Sequence, residues 1–105
     1  MIDIVTEHAY LTITSGAEAE FERAFAVARP ILESAQGCRG AALFRDRENA
    51  GSYLLRVTWD RLEDHLEVFP ASEAGRRFAE HIAHFFALTP EVRHFETTGV
   101  GEPAS

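Results

Sequence analysis

The chain has 105 residues, 46 % of them apolar and 26 % charged, with a formal net charge of −7. That length supports one hydrophobic core and a single domain, and the composition excludes an intrinsically disordered chain. All ten basic residues are arginine and face 17 acidic ones, which excludes nucleic acid and anionic membranes as partners, since both demand a clustered basic face. No apolar run approaches the roughly 20 residues needed to span a bilayer. The acidic start MIDIVTEHAY lacks the basic and apolar regions of a signal peptide, so a cytoplasmic location is expected. The lone cysteine, Cys38, leaves no disulfide framework and no multi-cysteine metal site.

Residues from about 4 to 14 alternate as a strand, with Ala9, Leu11 and Ile13 on one face and His8, Tyr10, Thr12 and Thr14 on the other. Ser15 or Gly16 can cap the helix that follows. That helix spans about residues 17–35, with Phe21, Ala24, Phe25, Ala28, Ile31, Leu32 and Ala35 as its apolar stripe. Pro30 is expected to kink or break it near Ala26, and Gly37 to end it. A second strand covers about residues 38–46. The polar turn 47–51 joins it to a third as an antiparallel hairpin.

The third strand carries Tyr53, Leu55, Val57 and Trp59 against Leu54, Arg56 and Thr58. At Asp60 the period changes. Leu62, His65, Leu66 and Phe69 follow at helical spacing, with Asp60 as expected N-cap and Glu63 as its capping-box partner. This helical region runs to about Leu88 and is divided by Pro70 and Gly75, its second part carrying Phe78, Ile82, Phe85 and Phe86. A fourth strand spans about residues 91–98. His94 there can point into a cavity or into an interface. His81 and His84 lie three apart on a helix, but without a third ligand they do not make a metal site. The tail 99–105 is expected to be loosely held.

The order β-α-β-β-α-β predicts an α+β, ferredoxin-like domain over residues 1–105, with its core at about 5–97. Its four-stranded antiparallel sheet carries the helices on one face. Nothing in the chain covers the other face, so a homodimer pairing sheet to sheet is expected.

The run YLLRVTW, then LEDH with a Phe and a Ser beyond it, the ARPIL helix with its Gly-Cys turn, and finally FFALTPEVRHFE resemble the antibiotic biosynthesis monooxygenase (ABM) family of dimeric α/β barrels. The resemblance covers about residues 5–97. It implies oxidation of a small phenolic or quinol-type aromatic by molecular oxygen, with no metal or other cofactor. In that chemistry the electron-rich phenolate reduces oxygen itself, so the protein needs a dry aromatic pocket, a proton acceptor and donors for the anion. On this resemblance His65 is the candidate acceptor and Trp59 its catalytic neighbour. Phe69, Phe85 and Phe86 are candidate walls, and His94 and Arg56 candidate orienters of substrate. The alternative is a non-catalytic dimeric barrel that binds a small hydrophobic ligand. A haem-degrading branch is a lesser alternative. The chain departs from its pattern on the first strand, where Thr6, Glu7 and His8 stand in place of an Asn.

Overall fold

The computed structural model describes residues 4–101; the remainder of the expected tail, 102–105, lies outside the described residues. Four strands form one antiparallel sheet: β1 (Val5–Thr12), β2 (Cys38–Arg45), β3 (Ser52–Trp59) and β4 (Glu91–Phe95). Their order is β2-β3-β1-β4, the arrangement of a ferredoxin-like α+β domain. Helix α1 (Glu18–Glu33) joins β1 to β2. A π-helical turn (Asp64–Val68), the short α2 (Phe69–Ala71), α3 (Glu73–Ile82) and a 3-10 turn (Ala83–Phe85) join β3 to β4.

Alternation along the strands decides which side chains meet the helices. Ala9, Leu11 and Ile13 from the first strand and Tyr53, Leu55, Val57 and Trp59 from the third are buried against Phe21, Phe25, Ala28 and Leu32 of α1 and Phe78 and Ile82 of α3. The opposite set faces away from the helices. It leaves Tyr10, Phe44 and Phe95 about two-fifths exposed. One sheet face is dry and the other is bare.

Several local expectations are corrected. Helix α1 continues unbroken through Pro30, because that residue sits in the last turn, where one missing N–H removes a single bond near a fraying end. Its start has no side-chain cap; the Glu18 carboxylate instead accepts from the Gly16 N–H at 2.8 Å. The capping box at Asp60 does not form. Asp60 accepts from Arg39 Nε at 2.6 Å, and Glu63 makes no capping bond. Ser72, in extended conformation, is the residue that starts α3, its Oγ accepting from the Gly75 N–H at 3.0 Å.

Gly75 does not divide the helix but lies inside α3. A Cβ there would stand 1.9 Å from the Phe69 carbonyl oxygen, so the glycine permits the backbone of α2 to rest on α3. The helix stops at Ile82 rather than Leu88. Beyond it the chain turns back onto the sheet: the Thr14 N–H donates to Phe85 O at 2.9 Å and the Ala87 N–H to Thr12 O at 2.8 Å.

The turn at 64–68 has the largest consequence. A π-helical turn has i→i+5 bonds and inserts an extra residue per turn, which rotates the following side chains out of the α-helical phase. Leu66, expected inward, is 53 % exposed, while Asp64 is only 1 % exposed. Asp64 accepts from Gln36 Nε2 at 3.2 Å and from Arg61 Nη2 at 3.3 Å. Gly37, with φ +80°, makes room for it, since a Cβ at that position would fall 2.0 Å from Asp64 Oδ2. The widened turn also sets His65 over the end of β3.

Candidate functional site

Glu7 shares the buried face of β1 with Ala9, Leu11 and Ile13, and is 6 % exposed. Its Oε1 accepts from the Trp59 indole Nε1–H at 2.9 Å and lies 3.3 Å from His65 Nε2. On the other side of the same ring, His65 Nδ1 is 2.8 Å from His94 Nε2. His94 reaches this point because it sits directly opposite Glu7 in the β1–β4 register. The Trp59 and His65 rings stack with centroids 5.4 Å apart and planes 19° from parallel, and Phe69 meets Trp59 at 5.6 Å. Four polar side chains from four elements therefore converge at one end of the core.

Electrostatics follow from burial. Desolvation pushes Glu7 from its ordinary 4.5 up to about 6, although the bond from Trp59 opposes the shift. Desolvation also pulls His65 from 6.5 down to about 4, helped by His94 beside it. The usual order is thereby inverted. Inside this cluster the carboxylate takes a proton before the His65 imidazole does.

An apolar groove of about 180 Å³ runs beside the cluster, between α3 and the β1–β4 edge. Glu7, Phe78, Ile82, Phe86 and Val92 line it. Trp59, His65, Phe69 and Phe85 do not line this groove. Trp59 is 1 % exposed, wedged among its neighbours, and Phe85 lies at 5.8 Å from Phe21 in the core. The hollow is displaced along the sheet because the stacked Trp59, His65 and Phe69 rings fill the space between sheet and helix themselves.

Of the residues expected at the site, Trp59, His65, Phe69 and His94 are brought together, Phe86 lines the adjoining groove, and Phe85, partly buried, packs against the core beside Phe21. Arg56 is not part of it. It lies on the bare face of the sheet with its guanidinium carbon 5.0 Å over the Phe44 ring, since its position in the strand alternation is opposite to that of Trp59. His8 is on that bare face too, beside Phe95 at 4.9 Å. With Arg56 and Thr58 they line a hollow of about 450 Å³ that holds no member of the buried cluster. His84 packs its ring on Phe85 at 4.2 Å, and no group of three or more His, Cys, Asp or Glu among the described residues has the geometry to hold a metal ion.

The residue pattern does not single out Glu7 as a site residue, yet it carries a signal of its burial. It is a carboxylate in step with Ala9, Leu11 and Ile13, on the apolar side of an alternating strand. Asp64 had no comparable signal, because its burial depends on the π-helical phase.

A ferredoxin-like sheet with an acid–base cluster buried under its helices defines a class of small α+β proteins with a helix-side site. Residues 4–81 match the family described as antibiotic biosynthesis monooxygenase, and the chain belongs to that family. It is 38 % identical over 93 residues to the uncharacterized protein YczJ of Bacillus subtilis, an alignment covering 89 % of this chain and 98 % of the relative. A Bordetella bronchiseptica structure bearing the same family description superposes with a TM-score of 0.87 at 32 % identity, covering 91 % of this chain and 98 % of the other. SnoaB of Streptomyces nogalater, described as a cofactor-independent oxygenase, superposes with a TM-score of 0.78 at 25 % identity, covering 95 % and 99 %.

Proposed function

We propose that this protein is a cofactor-independent monooxygenase that oxidises a small phenolic or quinol-type aromatic with molecular oxygen. The observation that carries the reading is the Glu7–His65–His94 cluster, packed against Trp59 and adjoining an apolar groove. Oxidation of this kind starts with removal of a hydroxyl proton, because the phenolate gives up an electron to oxygen far more readily than the phenol. The groove supplies low-dielectric walls for a ring, and the cluster supplies the acceptor. The similarity to SnoaB, described as an oxygenase without a cofactor, supports the same chemistry. His65 lies at the middle of the cluster, Trp59 fixes it by stacking, and Phe69 and Phe86 close the apolar side.

Oxygen uptake by the purified protein against a panel of phenols and quinols tests this. One member of the panel is expected to turn over, with a loss of at least about a hundredfold in His65→Ala, the usual size of a general-base contribution. Uptake by none of the panel removes the enzyme reading. Saturable binding of such a compound without uptake would instead favour the non-catalytic alternative, a barrel that holds a small hydrophobic ligand in the same groove.

Two copies pairing through their bare sheet faces complete this reading. Tyr10, Phe44 and Phe95 are each more than 40 % exposed on one face, and exposed apolar side chains gathered on one sheet face are the feature that marks an interaction surface. Sedimentation is expected to give a dimer, and Phe44→Glu to shift it toward monomer by placing a charge on the apolar face that would pair. A wild-type protein that sediments as a monomer overturns the pairing.

A further inference from the structure

Hydrogen-bond valence fixes where the protons lie in the buried cluster. An ionised carboxylate only accepts, whereas a neutral imidazole carries one donor nitrogen and one acceptor. With Glu7 ionised, its charge favours a hydrogen on the His65 Nε2 that stands 3.3 Å from Oε1, a charge contact and not yet a formed hydrogen bond, and Nδ1 is then the bare nitrogen. His94 Nε2, 2.8 Å from that bare nitrogen, must then be the donor. The lone pair at the end of the chain falls on His94 Nδ1, which has no hydrogen-bond partner among the described residues. His94 is half-buried on the edge strand β4, two residues from Val92 of the groove wall on the same face.

We propose that His94 Nδ1 is where a proton enters this site and Glu7 is where it comes to rest, with His65 passing it between them. The donor, a phenol-type hydroxyl, loses its proton to His94 Nδ1. His94 releases its Nε2 hydrogen to His65 Nδ1, and His65 releases its own Nε2 hydrogen to Glu7 Oε1. Three bonds to hydrogen break and three form. The negative charge moves from Glu7 to the donor oxygen, no electron is transferred, and both imidazoles finish neutral with their tautomers exchanged.

A proton held on His65 instead would need both of its nitrogens to donate, one of them toward the hydrogen already on His94 Nε2. The relay avoids that clash and never leaves an imidazolium in the dry interior. The order of protonation agrees, with Glu7 pushed up to about 6 and His65 held down at about 4. The charged and titratable groups facing His94 from the packed elements are Glu7 on β1 and His65 on the π turn. Arg56 and His8 lie across the sheet. The Glu7–His65 link is the longer one and must close to hydrogen-bond length for transfer, a tightening usual when a site fills.

The proposal depends on the monooxygenase reading only for the identity of the donor, so its test uses the full chain without substrate. Nitrogen-15 spectra of the histidines and the infrared band of a protonated carboxyl are followed from about pH 8 downward. Both histidines are expected as Nε2–H tautomers at the start. On passing about pH 6 His65 converts to Nδ1–H while remaining neutral, and a carboxylic-acid band appears; Glu7→Gln loses the band and the exchange together. An imidazolium on either ring at that pH with Glu7 still ionised overturns the relay and makes Glu7 a counter-ion. Nδ1–H tautomers at about pH 8 overturn it as well. The wild-type titration decides the matter even if the Gln variant does not fold, and either result can coexist with oxygen uptake or with its absence.

Discussion

Trp59→Ala is expected to lower stability by about 3–5 kcal/mol, the range for deleting a large aromatic from a core that cannot collapse into the space. Trp59 is 1 % exposed and ends β3 beneath the π turn, in contact with His65 and Phe69. No neighbour can fill the void without unstacking. The loss is compounded at Glu7, which would keep its buried position but lose the indole N–H that it accepts at 2.9 Å. A domain of this size has about 5–15 kcal/mol in all, so the variant should show a greatly lowered denaturant midpoint. Trp59→Phe separates the two contributions. It retains most of the apolar area yet removes the donor, so the Glu7 carboxyl should titrate higher than in the wild type. Equal Glu7 titration in both proteins would show that the indole bond contributes nothing to holding the charge.

Much of this arrangement was legible in the residue pattern. Alternation along residues 53–59 separates the two faces of the strand, and the same rule along the first strand groups Ala9, Leu11 and Ile13 together, but which face meets the helices is decided only by the packing. Period two depends only on the pleat, and so survives whatever packs above it. The helical region after Asp60 was less legible because its phase is set by tertiary contact. The spacing 62-65-66-69 assumes 3.6 residues per turn. A π turn breaks that assumption, and the contacts that accompany it, Asp64 against Gln36 and Gly37, come from about 28 residues earlier in the chain. His65 still falls on the inner side, stacked on Trp59, while Leu66 turns outward. Glu7 was overlooked for another reason: a charged residue on an apolar face reads as an interruption of the pattern until a Trp, a His and a second His are seen around it. Arg56 was assigned by chemistry and excluded by parity, since any residue one position from Trp59, Val57 or Leu55 must point to the other side of the sheet.

Glu7→Gln is expected to make the protein more stable at about pH 8, by about 2 kcal/mol, because a carboxyl raised from 4.5 to about 6 in the fold is penalised in its charged form by that amount. The sign follows from proton counting. Between about pH 4.5 and 6 the folded chain binds the Glu7 proton and the unfolded chain does not, so the stability Glu7 allows is full below 4.5 and is lost as the pH rises through 6. His65 acts in the opposite sense. Its folded value is depressed from 6.5 to about 4, so its contribution is present above 6.5 and is lost as the pH falls through 4. In the wild type the two slopes nearly cancel over their common range, because the fold gives its first proton to Glu7 where the unfolded chain gives it to His65. Removing the carboxyl leaves the His65 slope alone. The advantage of Glu7→Gln should therefore shrink through pH 6 and vanish near 4.5, where the wild-type side chain is itself neutral. Denaturant titrations of both proteins across that range check this, and a difference independent of pH would mean that Glu7 is not the group being neutralised. A carboxylate that weakens the fold when charged, placed behind two histidines and beside an apolar groove, has the properties of a proton store: poised near neutrality and connected to the edge of the sheet by rings that need not carry charge themselves.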